Sequence, residues 1–206
     1  MKLYITDGSP YARIVRIFVH EKGLQDRIEI ILAQTRKAGS PYYAVNPSGR
    51  VPYLVRDDGV GMEESALIVD YLDQLDGKPM FTLPVGDAGW EARRLEALAR
   101  SWMDGLAVWS RENSRPAHER SPTIIKHEAA RSMRMAAMWE SLIDHAWMNG
   151  PQPPSVNLAQ ITLACALGME ARNADLQWRP GHPKLCDWFA RFAARPSFAA
   201  TAVAPR

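Results

Sequence analysis

The chain has 206 residues, 47% hydrophobic and 23% charged, with a formal net charge of +2. These are ordinary globular proportions, enough for one large core or two smaller ones. Its 25 Lys and Arg residues are scattered, with no basic run, so no nucleic acid and no membrane surface is indicated as a partner. No apolar run approaches the ~18 residues of a membrane span. Cys165 and Cys186 lie far apart in apolar helical patterns, and no CxxC occurs. That suits a reducing, cytoplasmic setting without structural disulfides. Met1-Lys-Leu-Tyr-Ile5 reads as the start of a strand and not as a signal peptide.

Lys2 to Thr6 alternates as a short strand does. Asp7-Gly8 makes a turn, and Ser9-Pro10 reads as an N-cap followed by proline at the first helical position. The helix carries Ile14, Val15, Ile17, Phe18 and Val19 and stops at Lys22-Gly23. Arg27 to Leu32 is a second strand, and residues 33–45, which hold Arg36 and Lys37, show no clean period. In Asn46-Pro-Ser-Gly-Arg-Val-Pro-Tyr-Leu54, Pro52 opens a strand, where its missing N–H breaks no ladder bond. An X-Pro bond is the peptide bond that adopts cis readily. A cis Val51–Pro52 would turn the Val51 N–H and C=O outward, where an extended peptide could pair as an added strand. Tyr53–Arg56 and Val60–Met62 form a hairpin about Asp57-Asp58-Gly59. Glu64-Ser65 then opens a helix that runs to near Leu75, and free N–H groups beside a serine hydroxyl suit a carboxylate. The order βαβ, then ββα, describes a thioredoxin-like layer whose first two strands are parallel.

Gly77, Pro79, Pro84, Gly86 and Gly89 mark a linker over residues 77–89, between a first domain of 1–76 and a second of 90–206. Beyond it the period is helical. Trp90 to Arg111 repeats apolar residues at Leu95, Leu98, Trp102 and Leu106. Ser121-Pro122 starts a helix expected to reach about Met148, followed by a loop over residues 149–154. Asn157 to Arg172 reads as the buried central helix, with Asn157 and Gln160 as a capping box. His182-Pro183 opens a last helix to Ala194. The fold class is therefore α/β plus all-α. His118, His127, His145 and His182 have no metal-ligand spacing, and no metal is expected.

Ser9-Pro-Tyr-Ala-Arg-Ile-Val-Arg16, Asn46 to Leu54 and Glu64-Ser-Ala-Leu-Ile-Val-Asp-Tyr-Leu72, in this order and before a helix-rich second half, resemble the cytosolic glutathione S-transferase superfamily, above all its serine-type bacterial members. The resemblance spans essentially the whole chain and is sharpest in residues 1–76. It implies a thioredoxin-like glutathione-binding domain and an all-α domain carrying an electrophile pocket. The implied activity is conjugation of glutathione to small hydrophobic electrophiles by a cytoplasmic homodimer, with glutathione as co-substrate. Isomerase, peroxidase or dehalogenase chemistry, or a non-catalytic binding protein of the same family, are the alternatives.

By the same resemblance, Ser9 would donate to the glutathione sulfur, with Tyr11 and Tyr4 as rivals. Val51 and Pro52 would present backbone to the cysteinyl residue, and Glu64 and Ser65 would hold the γ-glutamyl end. Arg50, or else Arg36 or Lys37, would meet the glycyl carboxylate, and Asp104 could reach the γ-glutamyl amine across a dimer. Tyr11, Trp102, Leu106 and Trp109, with Ser101 and Gly105 on the same helix face, would line the electrophile pocket. Each has a plainer alternative: an N-cap, a strand start, first-turn acid and hydroxyl chemistry, a solvated arginine, or core packing. No cysteine stands near position 9, which speaks against transferases that work through a mixed disulfide. The family usually has Ser or Thr and then Asp where this chain has Asn157 and Gln160.

A free thiol of pKa about 8.5 is only a few per cent thiolate at neutral pH. Lowering that by about two units needs roughly 2.7 kcal/mol and raises the thiolate about twenty-five-fold. Falling nucleophilicity returns most of this gain, with a Brønsted slope of about 0.4–0.5. Orientation beside the electrophile must supply the rest, and can contribute about 7–11 kcal/mol.

Overall fold

The computed structural model describes residues 1–149, 156–173 and 175–203. The chain divides into two compact units, Met1–Thr82 and Leu83–Arg206.

The first unit contains β1 (Lys2–Ile5), α1 (Pro10–Glu21), β2 (Glu29–Leu32), α2 (Tyr42–Val45), β3 (Tyr53–Val55), β4 (Gly61–Glu63) and α3 (Ser65–Gln74). The sheet order is β2-β1-β3-β4. β1 and β2 are parallel, and the other two pairs are antiparallel. This is the thioredoxin-like layer. Leu3, Ile5 and Leu54 enter its core, where they meet Ile14, Ile17 and Phe18 of α1 and Ile68 and Leu72 of α3, all fully buried. Pairing across the β1–β3–β4 ladders places Tyr4, Tyr53 and Glu63 in one row.

β2 starts two residues later than the pattern suggests, because Gln25–Arg27 closes a turn of 3-10 helix in which Arg27 N–H bonds the Leu24 carbonyl. The aperiodic stretch 33–45 ends in α2, whose first N–H is held by Ser40 Oγ at 3.2 Å. The unit also runs to Thr82, past the expected boundary at residue 76. The cause is Asp73, a buried carboxylate that accepts from the N–H groups of Met80 and Phe81, each at 2.8 Å. Lys22 Nζ lies 3.3 Å from the same carboxylate, and Phe81 packs edge-on to Phe18 with 5.0 Å between ring centroids. The first residues of the expected linker are thus tied to α1 and α3.

The second unit contains α4 (Asp87–Asn113), α5 (Pro122–Leu142), α6 (Ala146–Asn149), α7 (Leu158–Leu167), α8 (Pro183–Ala193) and α9 (Pro196–Ala200). Every residue of α7 from Ala159 to Leu167 is buried, as a helix needs to be when it is apolar all round. α4 packs against α5 and α7, and α8 against α5 and α7. The Asn157–Gln160 capping box forms: Gln160 N–H donates to Asn157 Oδ1 at 2.9 Å, and Asn157 N–H to Gln160 Oε1 at 3.0 Å.

α4 begins at Asp87, inside the expected linker, with Gly86 (φ +80°) turning the chain into it. α5 ends at Leu142, short of Met148, because His145 Nδ1 accepts the Trp147 N–H at 3.1 Å and starts α6 afresh. α7 tightens into 3-10 helix at Gly168–Arg172. Of the loop expected over 149–154, Asn149 ends α6, and the remainder lies outside the described residues. Among the described residues no helix is long and apolar enough to cross a membrane.

Candidate functional site

The Tyr4–Tyr53–Glu63 row organises the first unit chemically. The chain leaves β1 just past Tyr4 and reaches Ser9. It arrives at Tyr53 through Val51-Pro52, and it leaves β4 at Glu63 directly into Glu64-Ser65. Three motifs separated in sequence therefore emerge from one end of one sheet, and the N-termini of α1 and α3 start there too.

Ser9 is the N-cap of α1, with extended backbone and its Oγ accepting the Ala12 N–H at 3.2 Å. A hydroxyl has one hydrogen to give and two lone pairs to receive, so capping leaves the hydrogen available for an acceptor. The positive end of the helix dipole favours an anion in that position. Tyr11, two residues into α1, is half-buried. Arg13, one turn after Ser9, is buried, which periodicity alone did not single out.

The loop before β3 is built around Asn46, which is buried. Its Nδ2 donates to the Arg50 carbonyl at 3.0 Å and to Glu63 Oε2 at 3.2 Å, and its Oδ1 accepts the Ser48 N–H at 3.1 Å. Tyr42 Oη donates to the same Arg50 carbonyl at 2.5 Å. Burial pushes the Tyr42 phenol above its ordinary pKa, so it remains a donor. Ser48 Oγ donates to Glu63 Oε2 at 2.5 Å. Gly49 sits at φ +66°, and a Cβ there would fall 2.7 Å from the Tyr43 ring. The Val51–Pro52 bond is cis. Among the described residues no partner is found for the Val51 N–H or C=O.

Glu64 has φ +78°, one of two non-glycine residues at positive φ among those described; the other is Arg36, at +57°. For a glutamate this is a costly backbone state, of order 1–3 kcal/mol, of the kind found where function demands a set geometry. It presents Ser65, which is buried at the first position of α3, and Ser65 Oγ donates to Glu64 Oε1 at 3.3 Å. Arg36, Lys37 and Arg50 are all exposed.

Residues 8–75 match the family described as Glutathione S-transferase, N-terminal domain. Over 202 residues the chain is 29% identical to the uncharacterized GST-like protein YibF of Escherichia coli K12, covering 98% of each. A glutathione transferase family member from Pseudomonas fluorescens Pf-5, solved with bound glutathione, superposes with a TM-score of 0.85 at 30% identity, over 100% of this chain and 98% of that one. The chain belongs to the glutathione S-transferase superfamily. A glutathione S-transferase of Methylobacillus flagellatus KT, solved with glutathione bound, gives a TM-score of 0.82 at 30% identity, over 100% and 99% of the two chains.

In this transferase-family chain the helical-unit residues named from sequence have defined surroundings. Trp102 is fully buried, its indole N–H donating to Ser132 Oγ of α5 at 3.1 Å. The Ser101–Gly105 face is taken up by α5 as well. Arg131 donates to Ser101 O at 2.7 Å and to Ser101 Oγ at 2.9 Å, and a Cβ on Gly105 would lie 2.5 Å from Glu128 Oε2. Gly105 is thus where two helices approach closely, and Ser101 is part of their interface. Leu106 and Trp109 are buried, with no hydrogen-bond partner for the Trp109 indole N–H among the described residues, and Asp104 is exposed. Sequence reasoning passed over Tyr42, Asn46 and Glu63. Asn46 stands inside a recognisable motif, but nothing in the spacing said that its amide would bind the carbonyl four residues on.

Proposed function

We propose that this chain is a glutathione transferase that joins the glutathione thiolate to small hydrophobic electrophiles. The observation that carries this reading is the Tyr4–Tyr53–Glu63 row, which brings Ser9, Val51 and Glu64-Ser65 out of one end of the sheet. The Pseudomonas and Methylobacillus relatives, solved with glutathione, support the choice of ligand.

In this reading the cysteinyl residue of glutathione pairs with the Val51 N–H and C=O as a short added strand. The Ser65 hydroxyl turns its hydrogen from Glu64 to the γ-glutamyl carboxylate, which also takes the first N–H groups of α3, and Glu64 turns to the amine. Arg50 meets the glycyl carboxylate. The Ser9 hydroxyl donates to sulfur beside the α1 N-terminus, which lowers the thiol pKa. The thiolate then forms a carbon–sulfur bond to the electrophile, and the leaving group departs with the electron pair of the broken bond. Tyr11 is assigned to the electrophile by resemblance; Trp102, Leu106 and Trp109, given the same role by resemblance, are buried within the helical unit. A homodimer follows from the same resemblance, and its check is the mass of the protein in solution. The free cysteines, Cys165 and Cys186, agree with a cytoplasmic setting.

The test is calorimetry with glutathione, followed by turnover on aryl halides, epoxides, enones and peroxides. Binding with conjugation supports the reading. Absence of binding refutes it. Binding without turnover on any substrate makes the chain a non-catalytic glutathione-binding protein, and turnover on peroxides alone makes it a peroxidase.

A further inference from the structure

The Arg50 carbonyl belongs to the same peptide unit as the Val51 N–H. That unit is planar and trans, so the two groups point in opposite directions and one cannot turn without the other. Two buried side chains donate to this one carbonyl, Tyr42 Oη at 2.5 Å and Asn46 Nδ2 at 3.0 Å. Together they fix the plane and leave the Val51 N–H facing away from them, with no partner found among the described residues.

Both donors are themselves anchored. The Tyr42 ring lies 5.4 Å, centroid to centroid, from the ring of Tyr4 on β1, the strand that leads to Ser9. Asn46 Nδ2 also reaches Glu63 Oε2, on the last residue of β4 before Glu64-Ser65. A polar chain therefore runs from Tyr42, through the Arg50 carbonyl and Asn46, to Glu63 at the end of β4, and the Tyr4–Tyr42 ring contact ties it to β1.

We propose that Tyr42 and Asn46 are positioning residues for the tripeptide, holding the Arg50 carbonyl so that the Val51 N–H is aimed at the cysteinyl carbonyl of glutathione, with Glu63 keeping the Asn46 amide in place. The inference rests on the glutathione reading above.

The test compares glutathione, which has the cysteinyl carbonyl, with γ-glutamylcysteamine, which lacks both that carbonyl and the glycyl residue; γ-glutamylcysteinamide, which keeps the carbonyl without the glycyl carboxylate, is the control and should lose affinity as glutathione does. Tyr42→Phe keeps the ring and removes one donor. It should weaken glutathione roughly two- to tenfold, the worth of one neutral hydrogen bond, while changing γ-glutamylcysteamine by less than about twofold. Glu63→Ala, at an exposed position, should give the same pattern with a smaller amplitude. Calorimetry supplies the affinities, and thermal unfolding confirms that each variant is folded. Equal losses for glutathione and γ-glutamylcysteamine would mean that these residues merely stabilise the loop, and no loss for either would mean that the peptide plane is held without them; both results overturn the inference. A wild-type protein that binds none of these ligands overturns the glutathione reading itself, and the inference with it.

Discussion

Ser9 has two roles in this account, and substitution can separate them. As N-cap its Oγ accepts the Ala12 N–H at 3.2 Å. Losing such a cap to alanine costs about 1 kcal/mol, whereas glycine in its place costs only a few tenths. For a chain of this length 1 kcal/mol corresponds to roughly 2–4 °C in melting temperature. As the proposed thiolate donor the hydroxyl would make a hydrogen bond to a charged group, worth about 1.5–3 kcal/mol. Removing it raises the midpoint of the bound thiol's titration by about one to two pH units. Ser9→Gly therefore isolates the second role. Its melting temperature should stay near that of the wild type, while the ultraviolet absorbance of bound thiolate titrates at higher pH. Thiolate population at neutral pH falls with that shift, but a more basic thiolate is the better nucleophile, with a Brønsted slope of about 0.4–0.5. The net loss in aryl-halide turnover at neutral pH is about three- to tenfold. Above the new midpoint the glycine variant should match or overtake the wild type. Ser9→Thr should preserve both roles. If Ser9→Gly keeps the wild-type thiol titration and pH–rate profile, the hydroxyl is only a cap and the reasoning about sulfur is wrong.

Three further outcomes follow from the geometry. Gly49→Ala puts a Cβ at φ +66° and 2.7 Å from the Tyr43 ring, and should cost at least the ~1–2 kcal/mol of a left-handed non-glycine residue, read by urea unfolding. Asp73→Ala leaves Lys22, whose side chain is 3% exposed, with the Asp76 carboxylate and the Lys78 carbonyl as its remaining partners among the described residues, and frees the Met80 and Phe81 N–H groups. A loss of about 3–5 kcal/mol is expected, with proteolysis of the 78–85 segment as a second readout. The same cluster makes stability depend on pH at both ends. Burial works to lower the Lys22 pKa, but its bonds to Asp76 and Asp73 outweigh that and raise it above the ordinary lysine value of 10.5. That stabilisation is complete below the unfolded value and is lost as pH rises through the raised one. Asp76 is held below its ordinary 3.8 by the Lys78 N–H and then by Lys22, so its contribution is present above that value and is lost as pH falls through the lowered one. Unfolding midpoints from pH 2 to pH 12 should show both limbs, and Asp76→Asn should flatten the acid one.

Much of this protein could be read from local sequence because the signals are local. Ser9-Pro10 and Ser121-Pro122 start helices through their own hydroxyls, Asn157 and Gln160 cap a helix reciprocally, and the apolar periods mark which faces are buried. The three motifs, each a few residues long, pointed to the family and to the candidate residues of the first unit. The thioredoxin-like layer was legible because alternation, a proline-started helix and a hairpin turn arise from neighbouring residues.

The rest needed tertiary structure because it depends on strand register and on polar partners that spacing does not encode. Tyr4, Tyr53 and Glu63 fall in one row only once the strands pair. Asn46 finds Glu63 seventeen residues away across that ladder, and Asp73 gathers Met80 and Phe81, extending the first unit to Thr82. Glu64 adopts positive φ because β4 must hand over to α3 at that point, a demand of the assembled layer that no property of glutamate announces. The Ser101–Gly105 face, which the resemblance assigns to the electrophile pocket, is met by Glu128 and Arg131 because α5 lies against it. Sequence alone determined which segments form and what chemistry each could carry; the pairing of those segments decided which side chains meet, because a side chain's partner is set by distance in space and not by distance along the chain.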